Sequence, residues 1–257
     1  MRLRGNSKIR LLIGAAIVIF GVIKYYGSRE ENPYTGKTQA IGMTAEQEIA
    51  IGLQNAPQMI QEYGGMYSDD DMQTLVDQVG RKLVQYTVAS ETEYEYDFHL
   101  LADPNTINAF ALPGGQIFIT YALFSKLDNE DQLAGVLGHE IGHVIGRHSA
   151  ERIAETELWQ TISSGAEVGA GAGREVGVFA QSTLLKNGRG DELESDDLGV
   201  RFMLKAGYNP EEMIRVMQIL KAAAGNSNVP EFQSTHPDPD NRIEHIKESI
   251  EKYREAA

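Results

Sequence analysis

One short segment of the chain carries a pattern that can bind a metal ion. It reads His139-Glu140-Ile141-Gly142-His143. On a helix, four residues make one turn plus about 40°, so both imidazoles project from one face, about 6 Å apart along the axis. Two imidazoles placed in this way can share one Zn²⁺. Glu140 is turned aside from the line of the ligands, where its carboxylate can act as general base on a water molecule that the metal activates.

The setting of this segment matters, because the five-residue pattern arises by chance in roughly one chain in a hundred of this size. The alternative is a solvent-facing helix that carries two ordinary histidines. Apolar residues surround the pattern and favour a buried or cleft-lining helix; they are Val136, Leu137, Ile141, Val144 and Ile145.

The third metal ligand has two candidate sources in the sequence. A metzincin would need a histidine at position 149, but that residue is Ser149 and the histidine is His148, so His148 is not expected to be the ligand. Glu192 and Asp196 are four residues apart, so one could ligate zinc while the other holds a ligand imidazole through a hydrogen bond. Taken alone, this acidic cluster is better explained as a solvated helix N-terminus.

Composition narrows the kinds of ligand further. The chain of 257 residues has no cysteine, so a metal can be held only by histidine and carboxylate side chains. Its formal net charge is −14, and residues 1–26 carry five basic and no acidic residues, which leaves 18 basic against 37 acidic residues in the remainder. A body this acidic repels nucleic acid and anionic lipid headgroups, so neither is expected as a partner.

The N-terminal segment predicts a membrane anchor. Residues 11–23 are a run of 13 apolar residues and glycines between basic residues, and Lys24, Tyr25 and Tyr26 follow it. Snorkelling lysine and interfacial tyrosines extend the reach of such a short span. No typical signal-peptidase site follows, so an uncleaved anchor is favoured over a cleaved signal and a secreted protein. Basic residues before the span place the N-terminus in the cytoplasm and the body across the inner membrane.

The remaining pattern predicts an α+β fold that is mostly helical, with a small sheet beside the helix of the metal pattern. Residues 27–43 are expected to be a polar linker, and strands are expected near 94–101, 108–112 and 116–121. The metal-binding helix should begin at Asp128 or Asn129 and run to about Ala154. Further helices are expected at 45–63, 70–87, 191–206, from 209 onward and at the C-terminus.

Four motifs in order resemble one family of zinc metallopeptidases. They are residues 108–115 (NAFALPGG), residues 133–148 around His139-Glu140, the segment from Glu192 to Gly199, and Thr235-His236-Pro237 with Arg242-Ile243. Together they are similar to the gluzincins that include the HtpX heat-shock protease, the type I CAAX prenyl protease and Oma1-like proteases. The chain resembles the periplasmic branch without extra membrane spans. Ser195 stands where the family usually has alanine, and Gly188 where it usually has serine.

The resemblance implies a site and a division of the chain. It makes Glu192 the third ligand of one Zn²⁺ beside His139 and His143, with Asp196 behind the ligands. It places His236 near the zinc, either stabilising the oxyanion or filling the fourth coordination position. His99 and His245 are expected to be structural. Residues 44–257 would form the peptidase domain after the anchor (1–26) and the linker (27–43).

The expected activity is hydrolysis of peptide bonds in unfolded or damaged envelope proteins. Residues 108–111 (Asn108, Ala109, Phe110, Ala111) would offer a sheet edge on which an extended substrate adds as a strand. The Gly-rich segment 165–177 could be a mobile lid or a plain connector. The alternative is a membrane-tethered chaperone or scaffold whose metal site is capped by His236 and seldom turns over.

Overall fold

The structure is a computed structural model that describes residues 7–223, 236 and 242–255. Backbone contacts group the chain into two compact units. One comprises Met1–Met43 with Ser149–Gly188, and the other comprises Thr44–His148 with Arg189–Ala257. All residues singled out above as candidate site residues belong to the second unit, so that unit is described first.

The second unit is mainly helical, which confirms the expected α+β class. Its helices are α2 (Ala45–Glu62), α3 (Asp70–Gln85), the short α4 (Tyr121–Phe124), α5 (Glu130–Ile145), the C-terminal part of α7 (Gly173–Lys205), α8 (Glu211–Ala223) and α9 (Arg242–Glu255). A capping box opens α2, since the Thr44 side chain accepts from the Gln47 backbone N–H and the Gln47 side chain accepts from the Thr44 backbone N–H.

A three-stranded sheet lies in this unit. Its strands are β3 (Asp97–Leu101), β4 (Ala109–Ala111) and β5 (Gln116–Thr120), in the order β3-β5-β4. The central β5 is buried along its whole length, runs parallel to β3 and pairs antiparallel with β4. Phe98 and Phe118 are fully buried and anchor the sheet in the core. The strand β4 contacts α5, which brings the outer strand beside the metal-binding pattern.

The helix α5 begins where the sequence predicted and ends earlier. The Asn129 side chain accepts a hydrogen bond from the Gln132 backbone N–H at 2.9 Å, which caps the helix. The expected continuation to Ala154 is wrong, because Arg147 adopts a left-handed conformation with φ of 54° and breaks the helix. A new helix, α6 (His148–Ala170), starts directly after this turn.

The first unit contains α1 (Ser7–Gly27), most of α6 and the N-terminal part of α7. Segment 27–43 includes an antiparallel strand pair, β1 (Arg29–Glu31) and β2 (Thr38–Ala40). The Gly-rich segment 165–177 is mostly helical, with a turn at Gly171 between α6 and α7. Among the described residues, α1 is the helix long and apolar enough to cross a membrane, by length and composition alone.

Candidate metal centre

Four side chains from distant parts of the sequence converge in the second unit. They are His139, His143, Glu192 and His236, and their candidate ligand atoms all lie within 4.8 Å of one another. The Nε2 atoms of His139 and His143 are 3.0 Å apart. The Glu192 carboxylate lies 3.3 Å from His139 Nε2 through Oε2 and 3.4 Å from His143 Nε2 through Oε1. His139 and Glu192 are buried, and His143 is mostly buried.

Small residues let the two helices that carry the ligands approach closely. A Cβ atom on Gly142 would lie 3.0 Å from the Ser195 carbonyl oxygen, and one on Gly138 would lie 3.5 Å from Gly199 Cα. The helix α7 therefore crosses α5 at the ligand histidines. Because Glu192 and Asp196 are one turn apart on α7, both carboxylates contact the His139 imidazole, and Glu192 also reaches His143.

These residues fit a zinc ion by donor type and by spacing. Zinc bonds of about 2.0–2.1 Å in a tetrahedron place neighbouring donor atoms about 3.3 Å apart. The three separations among His139, His143 and Glu192 are 3.0, 3.3 and 3.4 Å. Within the described residues, Glu192 Oε2 is buried and makes no hydrogen bond. His139 Nε2 and Arg242 Nη1 each lie 3.3 Å from this oxygen, and a bound cation would give the buried carboxylate a direct partner.

The ligand His139 is held from behind by two charged residues. Its Nδ1 lies 2.9 Å from Asp196 Oδ1 and donates to it, so Nε2 faces the centre and is the atom that would bind a metal. Asp196 in turn accepts two hydrogen bonds from Arg242, at 2.7 Å from Nε and 2.6 Å from Nη2. Asp196 is fully buried and Arg242 nearly so, so the pair is stabilising only because both charges are satisfied.

The electrostatics of the centre follow from burial and close charges. Burial lowers the pKa of His139, but the nearby carboxylates of Asp196 and Glu192 raise it to about 9. Burial raises the pKa of Glu192, and the nearby histidines His236 and His143 outweigh it and hold that pKa well below the usual range. Burial lowers the pKa of His143 well below its usual value; His139 and His148 lower it further, and Glu192 does not outweigh these effects. The centre thus holds an ionised carboxylate among imidazoles.

Glu140 lies beside the candidate ligands, and its oxygens are not among the clustered atoms. It is 1% exposed, and within the described residues neither carboxylate oxygen makes a hydrogen bond. Burial raises the pKa of its carboxyl group. A carboxylate with raised proton affinity next to a metal site is suited to accept and return a proton.

His236 reaches the centre from the other side, although Thr235 and Pro237 of its motif lie outside the described residues. Its Nδ1 is 3.1 Å from Glu192 Oε1, and its Nε2 donates to the Ala109 carbonyl oxygen at 3.1 Å. Glu140 Oε1 is 3.7 Å from the same Nε2. Burial lowers the pKa of His236, but Glu192 and Glu140 raise it overall. The imidazole therefore joins the ligand cluster to strand β4.

The strand residues singled out by the sequence lie at this edge. Asn108 directs its backbone toward β5, since its N–H bonds Thr120 Oγ1 and its carbonyl accepts from the Thr120 N–H at 3.0 Å. In an antiparallel pair the direction alternates, so Ala109 and Ala111 direct their backbone groups away from β5. Phe110 stacks on Phe118 of the neighbouring strand. His99 and His245 are not part of the ligand cluster.

Sequence reasoning overlooked three contributors to this region. Arg242 was noticed within a motif, but its bond to Asp196 was not anticipated. The contacts of Arg147 with Glu48 on α2 and of His148 with His143 were not anticipated either. The only local signal was the Arg147-His148 pair itself, which follows the metal pattern.

Two histidines one helical turn apart, a carboxylate from a second helix and an adjacent glutamate are the side chains expected of a metallopeptidase. The sequence profile of Peptidase family M48 matches residues 71–250. The chain therefore belongs to peptidase family M48 and is a metal-dependent peptidase.

Individual relatives agree with this assignment. The chain is 29% identical to the mitochondrial metalloendopeptidase OMA1 of Schizosaccharomyces pombe over 92% of its own length and 71% of that protein. It is 30% identical to the beta-barrel assembly-enhancing protease of Yersinia pestis and 27% identical to that of Escherichia coli, over 82% and 79% of its length. It spans 45% of each of these two bacterial proteins.

Proposed function

We propose that the chain is a zinc-dependent endopeptidase in which His139, His143 and Glu192 bind the metal and Glu140 is the general base. The observation that supports this most strongly is the placement of a buried Glu140 without hydrogen-bond partners, among the described residues, beside three donors at tetrahedral spacing. Loss of cleavage of an unfolded protein in a Glu140→Gln variant that retains its zinc tests this proposal.

The residues divide the work of hydrolysis. Zinc, when bound, would act as a Lewis acid that lowers the pKa of water and polarises the scissile carbonyl. Glu140 takes the proton from the attacking water and returns it to the leaving amine. Asp196 and Arg242 hold His139 in the tautomer that presents Nε2. His236 carries an N–H 3.7 Å from Glu140 and is placed to stabilise the developing oxyanion.

A second candidate function follows from the present position of His236. His236 contacts the Glu192 carboxylate, a proposed metal ligand, and the Ala109 carbonyl oxygen on the outer edge of β4. In that arrangement His236 would cap the site, and the protein would act as a membrane-tethered chaperone or scaffold that seldom cleaves. The two functions differ in whether any hydrolysis depends on Glu140.

The outer edge of β4 is the proposed substrate-binding surface. Ala109 and Ala111 direct their backbone groups outward, and β4 contacts the helix that carries Glu140. An extended polypeptide could add there as a strand through main-chain hydrogen bonds, with little dependence on its side chains. Such binding favours unfolded polypeptides, because folded proteins seldom present a free extended segment. If His236 moved away from the Ala109 carbonyl oxygen, that oxygen could accept a hydrogen bond from the substrate strand.

Replacing Ala111 by Pro will lower kcat/KM for an unfolded protein substrate by about fivefold. Proline removes one outward N–H, and a typical hydrogen bond contributes about 1 kcal/mol. Proline is tolerated on edge strands where the N–H does not join the ladder, so the fold should persist. Initial rates of casein cleavage at several concentrations measure the effect, and Ala111→Val, which retains the N–H, is the matched control. Equal rates for the two variants would show that the outer edge of β4 does not bind the substrate.

We further propose that α1 anchors the protein in the inner membrane, with the N-terminus cytoplasmic and residues 44–257 acting as an extracytoplasmic peptidase domain. The length and composition of α1 and the basic residues before it support this. Relatives named as a mitochondrial metalloendopeptidase and a protease that enhances β-barrel assembly support a role in quality control of unfolded envelope proteins.

A further inference from the structure

The turn that ends α5 is held in an unfavourable backbone conformation by a buried ion pair. Arg147 has φ of 54°, which is uncommon for a residue with a side chain. Its guanidinium donates to Glu48 Oε1 of α2, from Nε at 2.8 Å and also from Nη2. Glu48 is 2% exposed, and the Tyr94 hydroxyl donates to its other oxygen at 3.1 Å. The contacts around Arg147 therefore fix the direction in which the chain leaves α5.

This turn places His148 directly behind the ligand His143. The Nδ1 atoms of the two imidazoles are 2.9 Å apart, and His148 Nε2 lies 3.1 Å from Glu194 Oε2. The His148 side chain is buried, and it also packs against the turn, where a Cβ on Gly146 would be 2.3 Å from its Nε2. A straight continuation of α5 would carry His148 away from this position.

The proton positions along this contact follow from the metal site. If His143 presents Nε2 to the metal, its neutral ring carries the proton on Nδ1 and donates it toward His148 Nδ1. His148 must then accept at Nδ1, so its own proton is on Nε2, where the Glu194 carboxylate accepts it. The order Glu194, His148, His143 thus gives both nitrogens of His148 a partner, and Ser195 Oγ also lies 3.4 Å from His148 Nδ1. Asp196 is the corresponding partner of His139 Nδ1, as a single carboxylate.

We propose that His148 is a positioning residue for the metal site: it fixes the tautomer and orientation of His143 by accepting its Nδ1–H, and Glu194 acts on the metal only through His148. This inference rests on the proposed function, because it assumes that His143 is a zinc ligand. Its role parallels that of Asp196 behind His139, with an imidazole and a carboxylate in sequence instead of a carboxylate alone.

The contact between His148 and Glu194 could instead belong to a second cation site. His148, Asp191 and Glu194 form a cluster that could itself hold a cation. The 3.1 Å contact of His148 Nε2 with Glu194 is a direct hydrogen-bond distance, whereas Asp191 Oδ1 is 3.9 Å from that nitrogen. The hydrogen bond accounts for the geometry, and metal stoichiometry separates the two assignments.

The test compares two amides at position 148. Asn places its amide oxygen near the position of Nδ1 and can accept from His143, whereas Gln reaches toward Nε2 and Glu194. The zinc dissociation constant of the full chain, measured by competition with a chromophoric chelator, should rise about 10–100-fold in His148→Gln and in the comparison variant Asp196→Asn. It should stay within about threefold of the wild type in His148→Asn. As a single change, Glu194→Gln should weaken zinc binding. In the His148→Gln variant, the same change should not weaken zinc binding any further.

The controls distinguish a specific effect of His148 on zinc affinity from a general loss of stability. They also distinguish it from the case in which the protein binds no zinc at all. His99→Asn changes another largely buried histidine, bonded to Gln116, and should leave zinc affinity unchanged. Denaturant unfolding of each metal-free protein reports a purely structural effect, which the Asn and Gln variants would share. The proposal would be overturned if His148→Asn and His148→Gln bound zinc with equal affinity, or if the effects of His148→Gln and Glu194→Gln were additive. It would also be overturned if replacing His148 removed a second equivalent of zinc. A wild type that binds no zinc would instead overturn the proposed function.

Discussion

Replacing Glu140 by Gln will reduce peptide hydrolysis by about 1000-fold or more and leave the zinc content unchanged. General acid–base catalysis contributes about 10²–10⁴-fold, and Glu140 is the one group here assigned to both proton transfers. Its oxygens are not among the clustered ligand atoms, so the metal should remain bound. Gln has nearly the same shape and no negative charge. Cleavage of casein or a quenched-fluorescence peptide, with zinc determined on the same sample, measures both effects.

The same variant distinguishes a peptidase from a binding protein. If the chain acts as a chaperone or scaffold, Glu140→Gln will bind unfolded polypeptide as the wild type does. The wild type will then show no hydrolysis that depends on Glu140. If hydrolysis persists at the wild-type rate in the variant, the assignment of Glu140 is wrong. His99→Asn is a suitable second control, since His99 lies outside the ligand cluster in β3.

Replacing Glu192 by Ala will remove the zinc as well as the activity. Structural zinc sites bind with about 10–16 kcal/mol, so one ligand of about four contributes roughly 3 kcal/mol, which is about 100-fold in affinity. The change also leaves Arg242 and His236 facing each other without the carboxylate that both contact. Zinc measured after dialysis against a weak chelator should fall from about one per chain to near zero.

A matched control for Glu192→Ala lies on the same helix. Glu175 is an exposed carboxylate in the first turn of α7, and its replacement by Ala should leave zinc and activity unchanged. If Glu192→Ala retains stoichiometric zinc, the third ligand has to be sought elsewhere, with His236 the nearest candidate.

Much of the site could be predicted because its parts are set by helical periodicity. His139 and His143 share a face of α5 for the same reason that Glu192 and Asp196 share a face of α7. That the two faces meet depends on small residues such as Gly142 at the crossing, which periodicity does not reveal. The family resemblance supplied the pairing of Glu192 with the histidines, and it pointed to His236.

The rest depends on contacts between residues far apart in sequence. The end of α5 was misplaced because the left-handed Arg147 is stabilised by Glu48, 99 residues away. The strand pair in 27–43 was missed since its buried contact, the Asn32 amide donating to Gln39, has no local signature. Helical structure in 165–177 overrides the low helix propensity of glycine, in part through close packing of Gly165 against Gly14.

If one zinc ion at this cluster is required for peptide hydrolysis, bound metal and activity must return together. Zinc is titrated into the chelator-treated wild-type protein while bound zinc and hydrolysis are measured on the same samples. We expect no hydrolysis in the metal-free protein and a rise that reaches its plateau at one equivalent. Full hydrolysis without bound metal, or bound zinc with no hydrolysis at any stoichiometry, would contradict this expectation.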